Sequence, residues 1–384
     1  MPPDSSPWTT CCRCPRGEFP LERAHFDPAE PLRAWDAADE YVLAHLHTEG
    51  IDGGRWLVVN DSFGALATAL AAHRPASWSD SCVALAATEA NLRRNDLDPS
   101  AVTLVPSTVE PTGPVDVALV KVPRTLAFLE DELRRLRPHL DARSIVIGAG
   151  MTRTVHRSTI GLFESIIGPT PTTRARKKAR LLLASVDPDL DPGPAPDPAH
   201  WSTDEGIVVT GFPNAFSASG LDDGTRLLLD HLPVPDAGAR VVDLGCGTGV
   251  VGATLAHRHP DVDLVCCDES FQAIASARAT VGAVTSRATF HATDVLDGID
   301  DRSADLVLVN PPFHAVGART TAVAHRMFAG ARRVLRPGGE LHVVANRHLG
   351  HHVALRRWFE SVDITASDPR FVVLRAADRP RRSA

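Results

Sequence analysis

An α/β fold built from two tandem, doubly wound domains is predicted by three observations. Each half of the chain alternates short apolar, β-branched runs with amphipathic segments of helical spacing, the pattern of a parallel sheet covered by helices. The halves also resemble one another: WLVVNDSFGALATALAAHRP, from Trp56, parallels ARVVDLGCGTGVVGATLAHRHP, from Ala239. DVALVKVPR, from Asp116, parallels DLVLVNPPF, from Asp305, and LRRLRPHL from Leu133 echoes ARRVLRPGGEL from Ala331. Third, a glycine-rich turn joins strand to helix in the second half, as in cofactor-binding α/β units.

The 384 residues suffice for two ordinary domains, and 43% hydrophobic with 23% charged residues fits a packed core. A net charge of −7 excludes a wholesale basic binder, so a polyanion must meet a local cationic patch. The first residues, MPPDSSPWTT, lack the apolar core of a signal peptide, and no run approaches a membrane span. Seven cysteines without regular spacing suggest no disulfide framework. A reduced, cytoplasmic, monomeric protein is expected. Cys11, Cys12 and Cys14 have the wrong spacing for zinc, so no metal is expected and residues 1–30 read as a loose tail.

Residues 31–186 form the first expected domain. Its DSFGA loop holds one glycine where the second half has three, and Lys121-Val122-Pro123-Arg124 stands where the second half has Asn310-Pro311-Pro312-Phe313. One copy therefore keeps a site and the other keeps only the fold. The cations Arg134, Arg135 and Arg137, and the run Arg174, Arg176, Lys177, Lys178 and Arg180, suit phosphate contacts in an otherwise acidic chain. With Lys121 and Arg124 they mark the first half as an RNA-binding module. Five prolines between Asp187 and His200 predict a linker.

Residues 201–378 are the expected catalytic domain, followed by a basic tail at 379–384. Gly247, Gly249 and Gly252 match G-x-G-x-x-G, with Asp268 at about the distance of a dinucleotide-binding acid. The same stretch also fits an S-adenosylmethionine loop through Asp243, Gly245, Gly247 and Gly249. In that case Asp268 accepts from ribose hydroxyls and Asp294 from the adenine amine, at successive strand ends. The strand DLVLV then delivers Asn310, Pro311, Pro312 and Phe313. The Asn310 oxygen and the Pro311 carbonyl can accept from the N–H groups of a planar amine and aim its lone pair. Proline fixes the backbone there, and Phe313 can stack on a base.

These residues carry a resemblance. The second half resembles class I S-adenosylmethionine-dependent methyltransferases of the N-P-P-[FYW] type. With LRAWDAADEYVL, KVPRTLAFLE, FSASGLDDGTRLLL and VANRHL added, the chain from Leu32 to Ala376 is similar to bacterial ribosomal RNA guanine-N2 methyltransferases with a degenerate N-terminal copy. The N-terminal motifs favour the large-subunit (23S) branch over its small-subunit (16S) sister. The resemblance implies methylation of a guanine exocyclic N2 in ribosomal RNA and a segment from Phe216 to Gly224 that closes over cofactor or base. Other N-P-P-type enzymes act on DNA adenine or protein glutamine. A nicotinamide oxidoreductase and a noncatalytic RNA binder are the rivals from other classes.

Overall fold

The computed structural model describes residues 11–25, 32–312 and 318–378, with side chains from residue 322 onward in the last segment. The chain divides into two compact units, Met1–Pro196 and Asp197–Ala384.

The first unit contains β1 (Cys11–Cys14), β2 (Gly17–Pro20), α1 (Ala37–Thr48), β3 (Trp56–Val59), α2 (Ala65–Ala69), β4 (Ala76–Ser79) and α3 (Cys82–Arg94). It continues with β5 (Thr103–Pro106), β6 (Val117–Lys121), α4 (Leu126–Leu136), β7 (Ile145–Met151), α5 (Arg157–Ile166) and β8 (Ala179–Ser185). Its main sheet runs β5-β4-β3-β6-β7-β8, parallel except for β8. Apolar clusters cover both faces, one around Leu129, Phe163 and Trp78, the other around Leu43, Leu66 and Leu181.

The second unit contains β9 (Ala199–Ser202), β10 (Val208–Gly211), α6 (Asp223–Asp230), β11 (Arg240–Leu244), α7 (Val250–Arg258), β12 (Asp263–Asp268) and α8 (Phe271–Gly282). Then follow β13 (Ala288–Ala292), β14 (Ala304–Val309), α9 (Ala318–Val334), β15 (Leu335–Asn346), α10 (His351–Leu355), β16 (Ser361–Ser367) and β17 (Phe371–Ala377). The sheet order is β13-β12-β11-β14-β15-β17-β16, with β17 antiparallel to both neighbours. Strands such as Val241–Leu244 and Leu306–Val309 are buried throughout, as parallel strands covered by helices must be.

The predicted fold class therefore holds, and ladder register shows the two sheets to be copies. Val59 pairs with Val120, and Leu244 pairs with Val309. Asp116 accepts the Arg55 amide at 2.7 Å, and Asp305 accepts the Arg240 amide at 2.8 Å, the same clasp at the start of both central strand pairs. Ser81 caps α3 and Ser270 caps α8 at equivalent positions.

Three expectations need correction. Cys11–Cys14 is not loose: it pairs with Gly17–Pro20 in a hairpin. Cys12 is fully buried beside Leu21, Trp35 and Ala65, and burial pushes its thiol up to about 12. The cations Arg134, Arg135 and Arg137 are spent on the fold. Arg134 pairs with Glu130, Arg135 with Glu110 and Asp131, and Arg137 donates to the Asp187 carbonyl at 2.7 Å. Lys121 is likewise engaged. Its ammonium lies 2.9 Å from Asp36 and 2.5 Å from Asp39. Burial opposes its charge, but these two acids more than offset that and hold its pKa above the ordinary lysine value. A lysine that inverts the site's chemistry is here a counter-ion for two acids of its own unit, so its charge is already spent. Arg124 stays exposed.

Among the described residues, no helix is long and apolar enough to cross a membrane, and no cluster of acids, histidines and cysteines is arranged to hold a metal.

Candidate active site

The carboxyl ends of β11 and β14, with the segment ahead of α6, bound an open cleft in the second unit. Phe216, Ser217, Asp243, Gly245, Thr248 and Asn310 all line it. The glycine loop makes the cleft possible, but its three glycines do different work. All have positive φ: 71° at Gly245, 53° at Gly247 and 77° at Gly249. A Cβ on Gly249 would lie 2.8 Å from the Ala277 Cα, so this glycine lets α7 pack on α8. A Cβ on Gly247 would lie 3.1 Å from the Phe216 carbonyl oxygen, so this one admits the Phe216 segment. Gly245 lines the cleft itself, and a Cβ there would lie 3.1 Å from the Met327 Cε.

The acids also separate by role. Asp243 is 3% exposed and accepts the Gly252 amide at 2.9 Å. Burial pushes its carboxyl up to about 7, opposed by the Gly252 bond and aided by nearby Asp268. Asp268 accepts the Gly247 amide through Oδ2 and the Ser270 amide through Oδ1, both at 3.0 Å, and so pins the glycine loop. Asp294 lies just past β13 and is paired with Arg326. The cleft thus gathers Asp243, Gly245, Phe216 and Asn310. Gly247, Gly249, Asp268 and Asp294 support it from behind or stand at neighbouring strand ends.

Asn310 follows the last residue of β14. Its Nδ2 donates to Thr225 Oγ1 at 2.9 Å, while its Oδ1 is buried with no partner among the described residues. Pro311 is buried and Pro312 exposed. Phe313 lies outside the described residues. Phe216 is 45% exposed and sits beside Ser217, which takes a left-handed φ of 62° and whose carbonyl accepts from Trp201 Nε1 at 3.2 Å. A large ring left open beside a cleft is available to a ligand.

Buried polar atoms are normally paired. Here Ser217 Oγ, Thr248 Oγ1 and Asn310 Oδ1 are all buried, all unpartnered among the described residues, and all belong to residues lining one cleft. Together with a buried carboxylate and a glycine face, they fit a polar, cationic ligand of nucleoside size such as S-adenosylmethionine. Ser217 falls within the expected Phe216–Gly224 segment, whereas Thr225 and Thr248 escaped sequence reasoning. Only the D-x-x-T spacing from Asp222, a helix N-cap signature, could have drawn attention to Thr225.

The first unit shows what happens when this apparatus is lost. By register, Asn60 replaces Gly245, Ser62 replaces Gly247, Ser79 replaces Asp268 and Lys121 replaces Asn310. Only Gly64 survives, opening α2 with φ 77°, and a Cβ there would meet the Thr88 Cα at 2.6 Å. The retained glycine is the one that helix packing demands, and the one that lines the cleft and the one that admits the Phe216 segment are gone.

The basic run lies in this unit. Arg176 and Ala179 exchange backbone hydrogen bonds at 2.8 Å, so Lys177 and Lys178 form a tight hairpin tip with φ 49° and 63°. Lys177 pairs with Glu40, and Arg176 lies over the Tyr41 ring. Arg174 and Lys178 are exposed, whereas Arg180 is half-buried at the start of β8.

Fold and cleft together define a class I S-adenosylmethionine-dependent methyltransferase with a degenerate first copy. Residues 9–188 match the RLMG N-terminal domain family, and residues 206–375 match the methyltransferase small domain family. The chain belongs to the ribosomal RNA large subunit methyltransferase G family. It is 50% identical to that enzyme of Streptomyces coelicolor, over 94% of this chain and 98% of the relative. It is 43% identical to that of Pseudomonas aeruginosa, with the same shares covered. A T. thermophilus 16S rRNA N2 methyltransferase, solved with AdoMet and guanosine, has the same fold at 20% identity. Its TM-score is 0.76 over 96% of this chain and 98% of that one.

Proposed function

We propose that the second unit methylates the exocyclic N2 of a guanine in 23S ribosomal RNA, and that the first unit holds the RNA. One observation carries this reading. Asn310 presents a buried, unpartnered oxygen at a strand end while its nitrogen is occupied by Thr225. A buried acceptor left empty costs roughly 1–3 kcal/mol unless a ligand donor meets it. A guanine amine has two N–H donors and a delocalised, weakly nucleophilic lone pair. Accepting one N–H at Asn310 Oδ1 and the other at the Pro311 carbonyl aims that lone pair and favours the charge that grows on nitrogen. Phe313 and the exposed Phe216 supply stacking walls for a base lifted from its neighbours.

Bound S-adenosylmethionine supplies an electrophilic methyl group on a positively charged sulfur. Asp243 offsets the ammonium charge of the ligand, and Gly245, Gly247 and Gly249 keep the loop close to it. Asp268 would take the ribose hydroxyls on the lone pairs left beside its Gly247 and Ser270 bonds, and Asp294, paired with Arg326, would take the adenine amine. No general base of tuned pKa is needed, because the amine acidifies as it acquires the methyl. In the first unit, Arg174, Arg176, Lys177, Lys178 and Arg180 contact phosphate oxygens, a role suited to cations at an exposed hairpin.

The test is methyl transfer from labelled S-adenosylmethionine to unmodified 23S RNA, 16S RNA, DNA and protein in parallel, with product nucleosides identified. N2-methylguanosine in 23S RNA is expected. Label in 16S RNA, in adenine or in protein glutamine would reassign the substrate.

A further inference from the structure

The Asn310 amide has two chemically opposite ends: Nδ2 only donates and Oδ1 only accepts. They have nearly the same shape, so the cleft by itself does not decide which end faces a substrate. A flipped amide would present its donors to the donors of the incoming amine. Something must set the orientation.

The structure shows what does. Asn310 Nδ2 donates to Thr225 Oγ1 at 2.9 Å. That hydroxyl has a single proton, and the Asp222 carboxylate lies beside it, with Oδ2 at 3.5 Å, a long contact that acts by charge more than as a hydrogen bond. The same Asp222 oxygen accepts the Thr225 backbone amide at 3.0 Å, as the N-cap of α6. An ionised carboxylate can only accept. The nearby carboxylate favours a Thr225 proton turned toward Asp222 and a lone pair turned toward Asn310. That lone pair accepts a donor and rejects Oδ1. Thr225 is 3% exposed, so water does not readily substitute for it.

We propose that Thr225, anchored by Asp222, is a positioning residue that fixes the rotamer of the catalytic Asn310 amide with its oxygen toward the target amine. This rests on the role given to Asn310 above. Thr225 also lines the cleft, and its role here is exerted through Asn310.

The test compares single-turnover transfer rates at saturating RNA and S-adenosylmethionine, with cofactor affinity measured by calorimetry. Thr225→Val keeps the shape and removes the hydroxyl. It is expected to slow transfer about tenfold, as loss of a group that orients a catalytic residue does. Cofactor affinity should stay within about twofold, because the loss acts through the amide. Thr225→Ser restores the hydroxyl and should recover most of the rate. In an Asn310→Ala background, Thr225→Val should cost less than about twofold more, since no amide remains to orient. The proposal is overturned if Thr225→Val transfers at the wild-type rate, if serine does not rescue, or if valine costs the same tenfold in both backgrounds. A merely structural role in capping α6 gives that last result. Should Asn310→Ala alone keep full rate, the role of Asn310 fails first and Thr225 falls with it.

Discussion

At the scale of single residues, Asn310 and Asp243 carry the strongest consequences. Asn310→Ala removes a pre-organised acceptor that meets only the nucleophile. Transfer should fall about 10²–10³-fold while cofactor affinity stays nearly intact. Calorimetry beside single-turnover kinetics checks this, and weaker binding with an unchanged rate would contradict it. Asp243 gives a pH signature. Burial raises its carboxyl to about 7, whereas an unfolded aspartate titrates near 3.9. Folding thus takes up a proton between those values, and the stability Asp243 contributes falls as pH rises from about 4 to 7. A cationic ligand beside it favours the ionised form and so expels that proton. Cofactor affinity should therefore rise with pH by up to about tenfold per unit below 7 and level off above. Calorimetry in buffers of different ionisation enthalpy would detect the released proton, and Asp243→Asn should abolish the dependence.

At the scale of elements, β6 and β14 end at the same point of equivalent sheets with opposite chemistry. Lys121 is an internal counter-ion for Asp36 and Asp39, whereas Asn310 leaves an acceptor open. Lys121→Ala should destabilise the first unit by about 3 kcal/mol, because it leaves the buried Asp39 carboxylate without its counter-ion, while the half-exposed Asp36 loses less. Asn310→Ala should cost less, about 1 kcal/mol, since the Thr225 bond it loses is offset by deleting an unsatisfied oxygen. Calorimetric scans of both variants check the contrast, and an unaltered scan for Lys121→Ala would refute the counter-ion role. The sequence announced β14 and its tetrad plainly, because four apolar residues followed by two prolines admit few alternatives. It concealed the fate of Lys121, whose partners lie 85 and 82 residues away at the N-cap and in the first turn of α1. Arg134 and Arg135 were more legible than they were taken to be: Glu130 and Asp131 sit four residues earlier, the spacing of helical ion pairs. Cys11–Cys14 was not legible at all, since a four-residue strand with one inward cysteine has no period to read.

At the scale of the whole molecule, the duplication was legible from matched motifs, and register then fixed which residues correspond. Matched motifs alone could not show that Ser79 stands where Asp268 does, because that depends on ladder pairing. The division of labour between the copies has its own test. Replacing Arg174, Arg176, Lys177, Lys178 and Arg180 by glutamate should raise the RNA KM and flatten its salt dependence, each lost phosphate contact removing a slope of roughly 0.7–0.9. Cofactor affinity should not change. Unaltered kinetics across several salt concentrations would leave the first unit as a structural brace. The most direct measurement of all is nucleoside mapping of ribosomal RNA from cells lacking this gene, complemented with wild-type or Asn310→Ala copies. One guanine of 23S RNA is expected to lose its N2-methyl group, to regain it with the wild-type copy and to remain bare with Asn310→Ala. An unchanged 23S modification pattern in the deletion strain, or full restoration by the Asn310→Ala copy, would contradict the assignment of this cleft as the site of methyl transfer.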